Sequence, residues 1–267
     1  MKLTDIITKD GPVLNKNRPL LDALEVLNKQ HVESICVDDG GKLVGSISFL
    51  DILFRIGTQR LRAVAPESLY ISGFMRNFPA STSNDTSIRK AAKLMLELSC
   101  MSLPMFYGEQ YLGLLHRRSL LRLVQERDIA ISTLMRKNFP LIRSHDRVIH
   151  ARKLLLESGI YMIPALNEDG LQLGVVGQGE VVNALVEFHK YVPEKHQKAR
   201  IRQLAISAIM NRNVPVVNGS LSLGEAARMI LKDYLPGLII EESSKVVGLL
   251  TPNEILEYIV LTFPEEQ

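Results

Sequence analysis

Apolar and polar positions recur along this chain in one frame, four times over. With Ile7, Met75, Met135 and Met210 as starting points, an alanine stands 16 residues on in each case: Ala23, Ala91, Ala151 and Ala226. Apolar residues stand at 13 (Leu20, Ile88, Val148, Leu223) and at 20 (Leu27, Met95, Leu155, Ile230). Steps of three and four residues share one helix face, so the pattern predicts four helices that each bury a stripe. Two short apolar runs follow, as in ESICVDDGGKLVGSIS, SLPMFYGEQYLGLL, MIPALNEDGLQLGVV and GLIIEESSKVVGLL. Turn residues between β-prone runs predict a hairpin. A glycine falls at 38, 38, 39 and 38 residues from the start: Gly45, Gly113, Gly174 and Gly248. Beyond it a second apolar helix is expected in DILFRI, SLLRLV, EVVNALVEF and EILEYIV. In front of the first helix lies a short extended segment with a proline (Pro12, Pro79, Pro140, Pro215). That segment is expected to end at a capping residue, Asn17, Asp85, Asp146 or Ser220.

Self-similarity at this period marks a repeated supersecondary unit. The chain is therefore expected to be α/β (α+β), with four βαββα repeats at 1–60, 68–127, 128–190 and 203–267. About 60 residues bury too little surface to be secure alone, so each repeat needs a cover for the open face of its sheet. Pairing supplies it, and the expected domains are 1–127 and 128–267.

Composition narrows the function classes. The 267 residues are 46% hydrophobic and carry a net charge of only +3, well below that of a dedicated nucleic-acid protein. The basic join with Lys190, Lys195, Lys198, Arg200 and Arg202 is broken by Glu187 and Glu194 and has no series of stacking aromatics, which favours a solvated connector. No run reaches the roughly 18 apolar residues of a membrane span, and the start has no signal or transit pattern, so a cytoplasmic protein is expected. Cys36 and Cys100 sit in apolar stretches and read as small buried hydrophobes. Walker A, GxSxG and HExxH patterns are missing, as is metal-ligand spacing, so no enzyme, required cofactor or metal is expected.

The segments FMRNFPASTSNDTSIRKAAKLM, TLMRKNFPLI, AIMNRNVPVV and LVGSISFLDIL resemble the CBS domain family, named for cystathionine beta-synthase. The resemblance covers nearly the whole chain and implies tandem pairs, called Bateman modules, with two clefts per pair. In that family such clefts can hold AMP, ADP, ATP, S-adenosylmethionine or related ligands. The family's ligand signature is glycine, two apolar residues, Ser or Thr, and Asp three residues further on. A hydroxyl beside free helix-start amides suits an anion, and the carboxylate can accept both ribose hydroxyls. Ser48 and Asp51 fit fully; Thr251 and Glu254 fit with a longer acid; the third repeat keeps Glu180 but has Gly177 for the hydroxyl. The second has His116 and Ser119 and lacks the acid. The expected order of cleft quality is first, fourth, third, second. By the same resemblance the base meets Val13, Ile35 and Cys36 in the first repeat and Val216, Leu238 and Ile239 in the fourth. Phosphate-binding cations are implied at His31, Arg117 and Arg118, which would favour a phosphorylated adenosine over S-adenosylmethionine.

A plainer reading stands beside this one, since Ser48 with Asp51 and Thr251 with Glu254 can simply cap the helices they begin. The resulting expectation is a regulatory, allosteric sensor of an adenine nucleotide, acting on a partner protein or a second copy of itself. The alternatives are an S-adenosylmethionine sensor and a scaffold whose clefts are vestigial.

Overall fold

A computed structural model describes residues 2–57, 66–78, 82–83 and 85–265. Pro79 lies outside the described residues. The first repeat runs β1 (Val13–Asn15), α1 (Leu20–Gln30), β2 (Ser34–Asp39), β3 (Lys42–Ser48) and α2 (Phe49–Arg55). The second opens with β4 (Arg76–Asn77) and continues through β5 (Thr82–Ser83), α3 (Ile88–Glu97), β6 (Ser102–Tyr107), β7 (Gln110–His116) and a 3-10 helix over Arg118–Val124. The third holds β8 (Ile142–Arg143), α4 (Val148–Ser158), β9 (Met162–Leu166), β10 (Gln172–Gly177) and α5 (Gln178–Tyr191), with α6 (Glu194–Arg200) in the join. The fourth holds β11 (Val216–Val217), α7 (Leu223–Lys232), β12 (Leu238–Glu242), β13 (Lys245–Leu250) and α8 (Pro252–Thr262). In each repeat a short leading strand is parallel to the first hairpin strand, as in Val13 beside Cys36 and Val216 beside Ile239.

Two local expectations shift. The first helices start two or three residues after Asn17, Asp85, Asp146 and Ser220; Ser87 and Ser222 are the capping side chains, accepting from the amides of Lys90 and Glu225. The upstream polar residues instead build the turn that ends the leading strand. Asp146 accepts from the amide of Arg143 (2.8 Å), and the Ser220 amide donates to Asn218 (2.9 Å). The last helix of the second repeat is 3-10 and not α. There His116 and Arg117 replace the hydroxyl cap, so the helix has no capping side chain of its own, and its first amide, of Arg118, goes to Glu33 of the first repeat.

The four repeated alanines are fully buried, on α1, α3, α4 and α7. They sit in two cores that cross the sequence. One joins the helices of the first and third repeats, with α2 on α5; the other joins the second and fourth, with α3 on α8. The sheets make the other contacts. Between the first and second repeats the meeting is polar: Ser34 Oγ lies 2.6 Å from Ser102 Oγ, and Cys36 Sγ 3.2 Å from the Tyr111 hydroxyl. Between the third and fourth it is an apolar cluster of Met162, Val175, Val214, Ile239 and Leu249.

The repeated glycine has its explanation in these contacts. Each repeat sends its leading segment to the sheet edge of its neighbour: Thr8 pairs with Leu114, Arg76 with Ser46, Arg136 with Leu249 and Asn211 with Val175. A Cβ on Gly113 or Gly174 would stand 2.6 Å from the carbonyl oxygen of Thr8 or Asn211. On Gly45 it would strike the Arg76 carbonyl, and on Gly248 the side chain of Met135. At Gly45, Gly113 and Gly174 glycine is required because another backbone passes over it, and at Gly248 because the Met135 side chain does.

Candidate functional site

The four exchanges share one register, and it sets the chemistry of the site. In each, the incoming residue pairs five positions before the acid position of the signature: Arg76 serves Asp51, Arg136 serves Glu254, Asn211 serves Glu180 and Thr8 serves Ser119. Where the incoming residue is arginine, it takes the acid. Asp51 Oδ2 accepts from the Ser48 amide (2.9 Å) and hydroxyl (2.5 Å), while Oδ1 accepts from Arg76 Nε at 3.0 Å. Arg76 also donates to the carbonyl of Leu98 at 2.7 Å, tying the first repeat to the end of α3. In the fourth repeat, Glu254 Oε2 accepts from the Thr251 amide (2.8 Å) and hydroxyl (2.5 Å), and Oε1 from Arg136 Nε at 2.7 Å. Both acids are buried, at 8% and 3% exposure, and both belong to complete capping boxes. Burial pushes the Asp51 carboxyl up from its ordinary value, more than its bonds to Ser48 and Arg76 pull it down.

Glu180 differs. Its Oε2 accepts from the Gly177 amide at 3.0 Å, and among the described residues no cation lies within ion-pair distance of it. Burial raises its carboxyl above the ordinary value, only partly countered by backbone amides. It lines a cavity of about 420 Å³ to which all four repeats contribute. The first gives His31 and Glu33, the second Arg118, the third Glu180 and Asn183, the fourth Asn211 and Tyr234.

A second cavity, of about 260 Å³, is lined by Ser99, Arg117, Arg136, Gly159 and Asn253, among others. Met101, Tyr161 and Gln178 border both cavities. The ends of the first helices set this division. His31, Ser99, Gly159 and Tyr234 occupy the same place in the four repeats, 24 residues from the start, and all four have a left-handed backbone. His31 and Tyr234 reach the larger cavity, Ser99 and Gly159 the smaller. Three of these are not glycine, a conformation that costs of order 1 kcal/mol or more each.

His31 stacks on Tyr234 with ring centres 5.4 Å apart, and the Arg118 guanidinium lies 5.8 Å from the same ring. The Arg118 amide donates to Glu33 at 2.7 Å, and its guanidinium to the Leu235 carbonyl at 3.2 Å. Arg117 is used differently. It is 3% exposed, donates to the carbonyls of Met95 and Cys100 and to Asn253, and so pins the second repeat to the fourth. His116 is buried beside it, and burial lowers its pKa, leaving a neutral ring at neutral pH.

The positions expected for the base separate by strand alternation. Ile35 and Leu238 turn into the helix cores, whereas Cys36 and Ile239 face the neighbouring repeat. Val13 and Val216 remain exposed at 48% and 42%. Cys36 and Cys100 are both buried free thiols. Among the described residues there is no metal-ligating cluster, and no helix is long and apolar enough to cross a membrane. Sequence reasoning missed Arg76, Arg136, Glu33, Asn183 and Tyr234. Only the arginines had a signal, as the residue directly after Met75 and Met135.

The fold and this fourfold arrangement define a protein of tandem repeats of one small α/β unit. The CBS domain model matches residues 3–58, 71–126, 130–187 and 206–261, and the chain belongs to the CBS domain family. It is similar over 97% of its length to protein MJ1225 from Methanocaldococcus jannaschii, described as a candidate archaeal homologue of γ-AMPK. That match covers all of MJ1225, with a TM-score of 0.80 at 16% identity. A conserved protein from Pyrococcus horikoshii matches the same share of this chain and all of its own, with a TM-score of 0.64 at 18% identity. An uncharacterized 33.4 kDa protein from the ribosomal RNA operon of Thermofilum pendens is 21% identical, over 91% of this chain and 86% of its own.

Proposed function

We propose that this protein is a regulatory sensor that binds a phosphorylated adenosine, AMP, ADP or ATP, in the cavity shared by its four repeats. The observation that carries the reading is Glu180, the signature acid that borders the larger cavity with no cation, among the described residues, within ion-pair distance. A carboxylate there can accept the paired hydroxyls of a ribose. The cavity supplies His31, Arg118 and Tyr234 for the charged and aromatic remainder, and its volume falls in the range of roughly 300–1,000 Å³ usual for small-molecule sites. The pairing into 1–127 and 128–267 belongs to the same proposal and is supported by reciprocal edge exchange within each pair. Because the cavity is walled by both pairs, a ligand that fits one mutual orientation better than another shifts the balance between them. A partner protein or a second copy reads that shift.

Titration calorimetry with AMP, ATP and S-adenosylmethionine, on the unaltered chain and on Glu180→Gln, tests this. The expected result is binding of a nucleotide that weakens about tenfold or more in the variant, as for loss of a charge-assisted bond in a partly buried site. Equal affinity in both proteins removes Glu180 from the site. No heat with any ligand favours the scaffold reading, which the fully satisfied Asp51 and Glu254 already support.

A further inference from the structure

We infer that Arg76 and Arg136 are clamps that hold two of the three signature acids out of ligand binding, so that the leading segment of one repeat decides whether its neighbour's site is open. The inference rests on the proposed nucleotide reading, but the two arginines it concerns lie outside the larger cavity.

Three observations carry it. At all four exchanges the incoming residue stands in one register relative to the acid position, so the comparison is like for like. Arginine occurs there at the two junctions whose signature is complete, Ser48 with Asp51 and Thr251 with Glu254. At the other two stand Thr8, which faces a repeat without an acid, and Asn211, which faces Glu180. The two clamped acids have every oxygen occupied by an amide, a hydroxyl or the guanidinium, and neither borders either cavity. A ribose diol approaching Asp51 must displace an ion pair held at 3.0 Å whose other end is anchored on Leu98. At Glu180 it meets no such competitor. Asn211 borders the larger cavity together with Glu180, and its side-chain oxygen accepts from the amide of Asn213 at 2.9 Å.

The clamp can be removed and it can be transplanted. Calorimetric titration with AMP is run on the full chain and on Arg76→Met, Arg136→Met and Asn211→Arg, with a thermal melt of each to show that it folds. The unaltered chain is expected to take up about one nucleotide, at the larger cavity. Arg76→Met and Arg136→Met should each take up about one more, because the freed acid keeps its hydroxyl neighbour and loses its competitor. Asn211→Arg should weaken binding about tenfold or more, since a cation now occupies Glu180. Unchanged stoichiometry in a folded Arg76→Met and a folded Arg136→Met overturns the clamp. If neither folds, Asn211→Arg decides, and unchanged affinity there overturns it. Should the unaltered chain bind nothing, the nucleotide site at Glu180 fails. The clamp then stands only if the arginine variants gain binding, and it falls if they do not.

Discussion

The first and third repeats carry a carboxylate at the same place, Asp51 and Glu180, and end in different states. Asp51 and Glu180 both begin the last helix of their repeat, and both fold back to accept the amide three residues earlier. Both are shifted upward by burial. What separates them lies elsewhere: the residue that the neighbouring repeat lays across the sheet edge is Arg76 in one case and Asn211 in the other. Within a repeat, the signature reports whether a helix start is well capped. Whether the acid carries an arginine is decided by the neighbouring repeat.

The exchange itself is the strongest lever on this comparison. Gly45→Ala and Gly174→Ala place a methyl group against a crossing backbone, and each is expected to cost about 2–3 kcal/mol, read as a lowered melting temperature. Gly45→Ala should in addition move Arg76 off Asp51. The matching change Gly248→Ala meets the Met135 side chain rather than a backbone atom and should cost less, about 1–2 kcal/mol. Equal losses at all three sites would break the link between these glycines and the exchange. A smaller effect is expected for Ser48→Ala, about 1 kcal/mol by denaturant melt, because the cap and one bond to Asp51 are lost together. The third repeat has Gly177 there and no cap to lose.

The mildest test uses pH. With its carboxyl raised by burial, Glu180 protonates above the ordinary value of 4.5. Nucleotide affinity should therefore fall as pH drops through that raised value, earlier than for an exposed acid. The stability term from the same group has the opposite sign. The folded chain binds this proton more readily than the unfolded chain, so its contribution is present at low pH and is lost as pH rises through the folded value. An affinity that is flat across this window would show that Glu180 does not hold the ligand in its charged form.

Much of the fold was legible because burial repeats. The alanines, the flanking apolar positions and the glycine all mark places where a side chain, or its absence, is fixed by packing within one unit. The caps were read one or two residues too early, because Asp146 and Ser220 serve the turn and the helix begins beyond it. At the site, Ser48, Asp51, Thr251, Glu254 and Glu180 could be found from the signature that the family resemblance supplies, since its members are neighbours on one helix start. Their relative openness could not, because Arg136 reaches Glu254 from 118 residues away. His31 was found and its stacking partner Tyr234 was not, because the two meet only when the first and fourth repeats close around the cavity.

The central claim, that ligand binding has settled on the unclamped acid, is tested most directly by a crystal structure of the chain soaked with AMP. The account predicts nucleotide density in the larger cavity with the ribose on Glu180, and Arg76 still on Asp51. Density with the ribose on Asp51 and Arg76 turned away would contradict it.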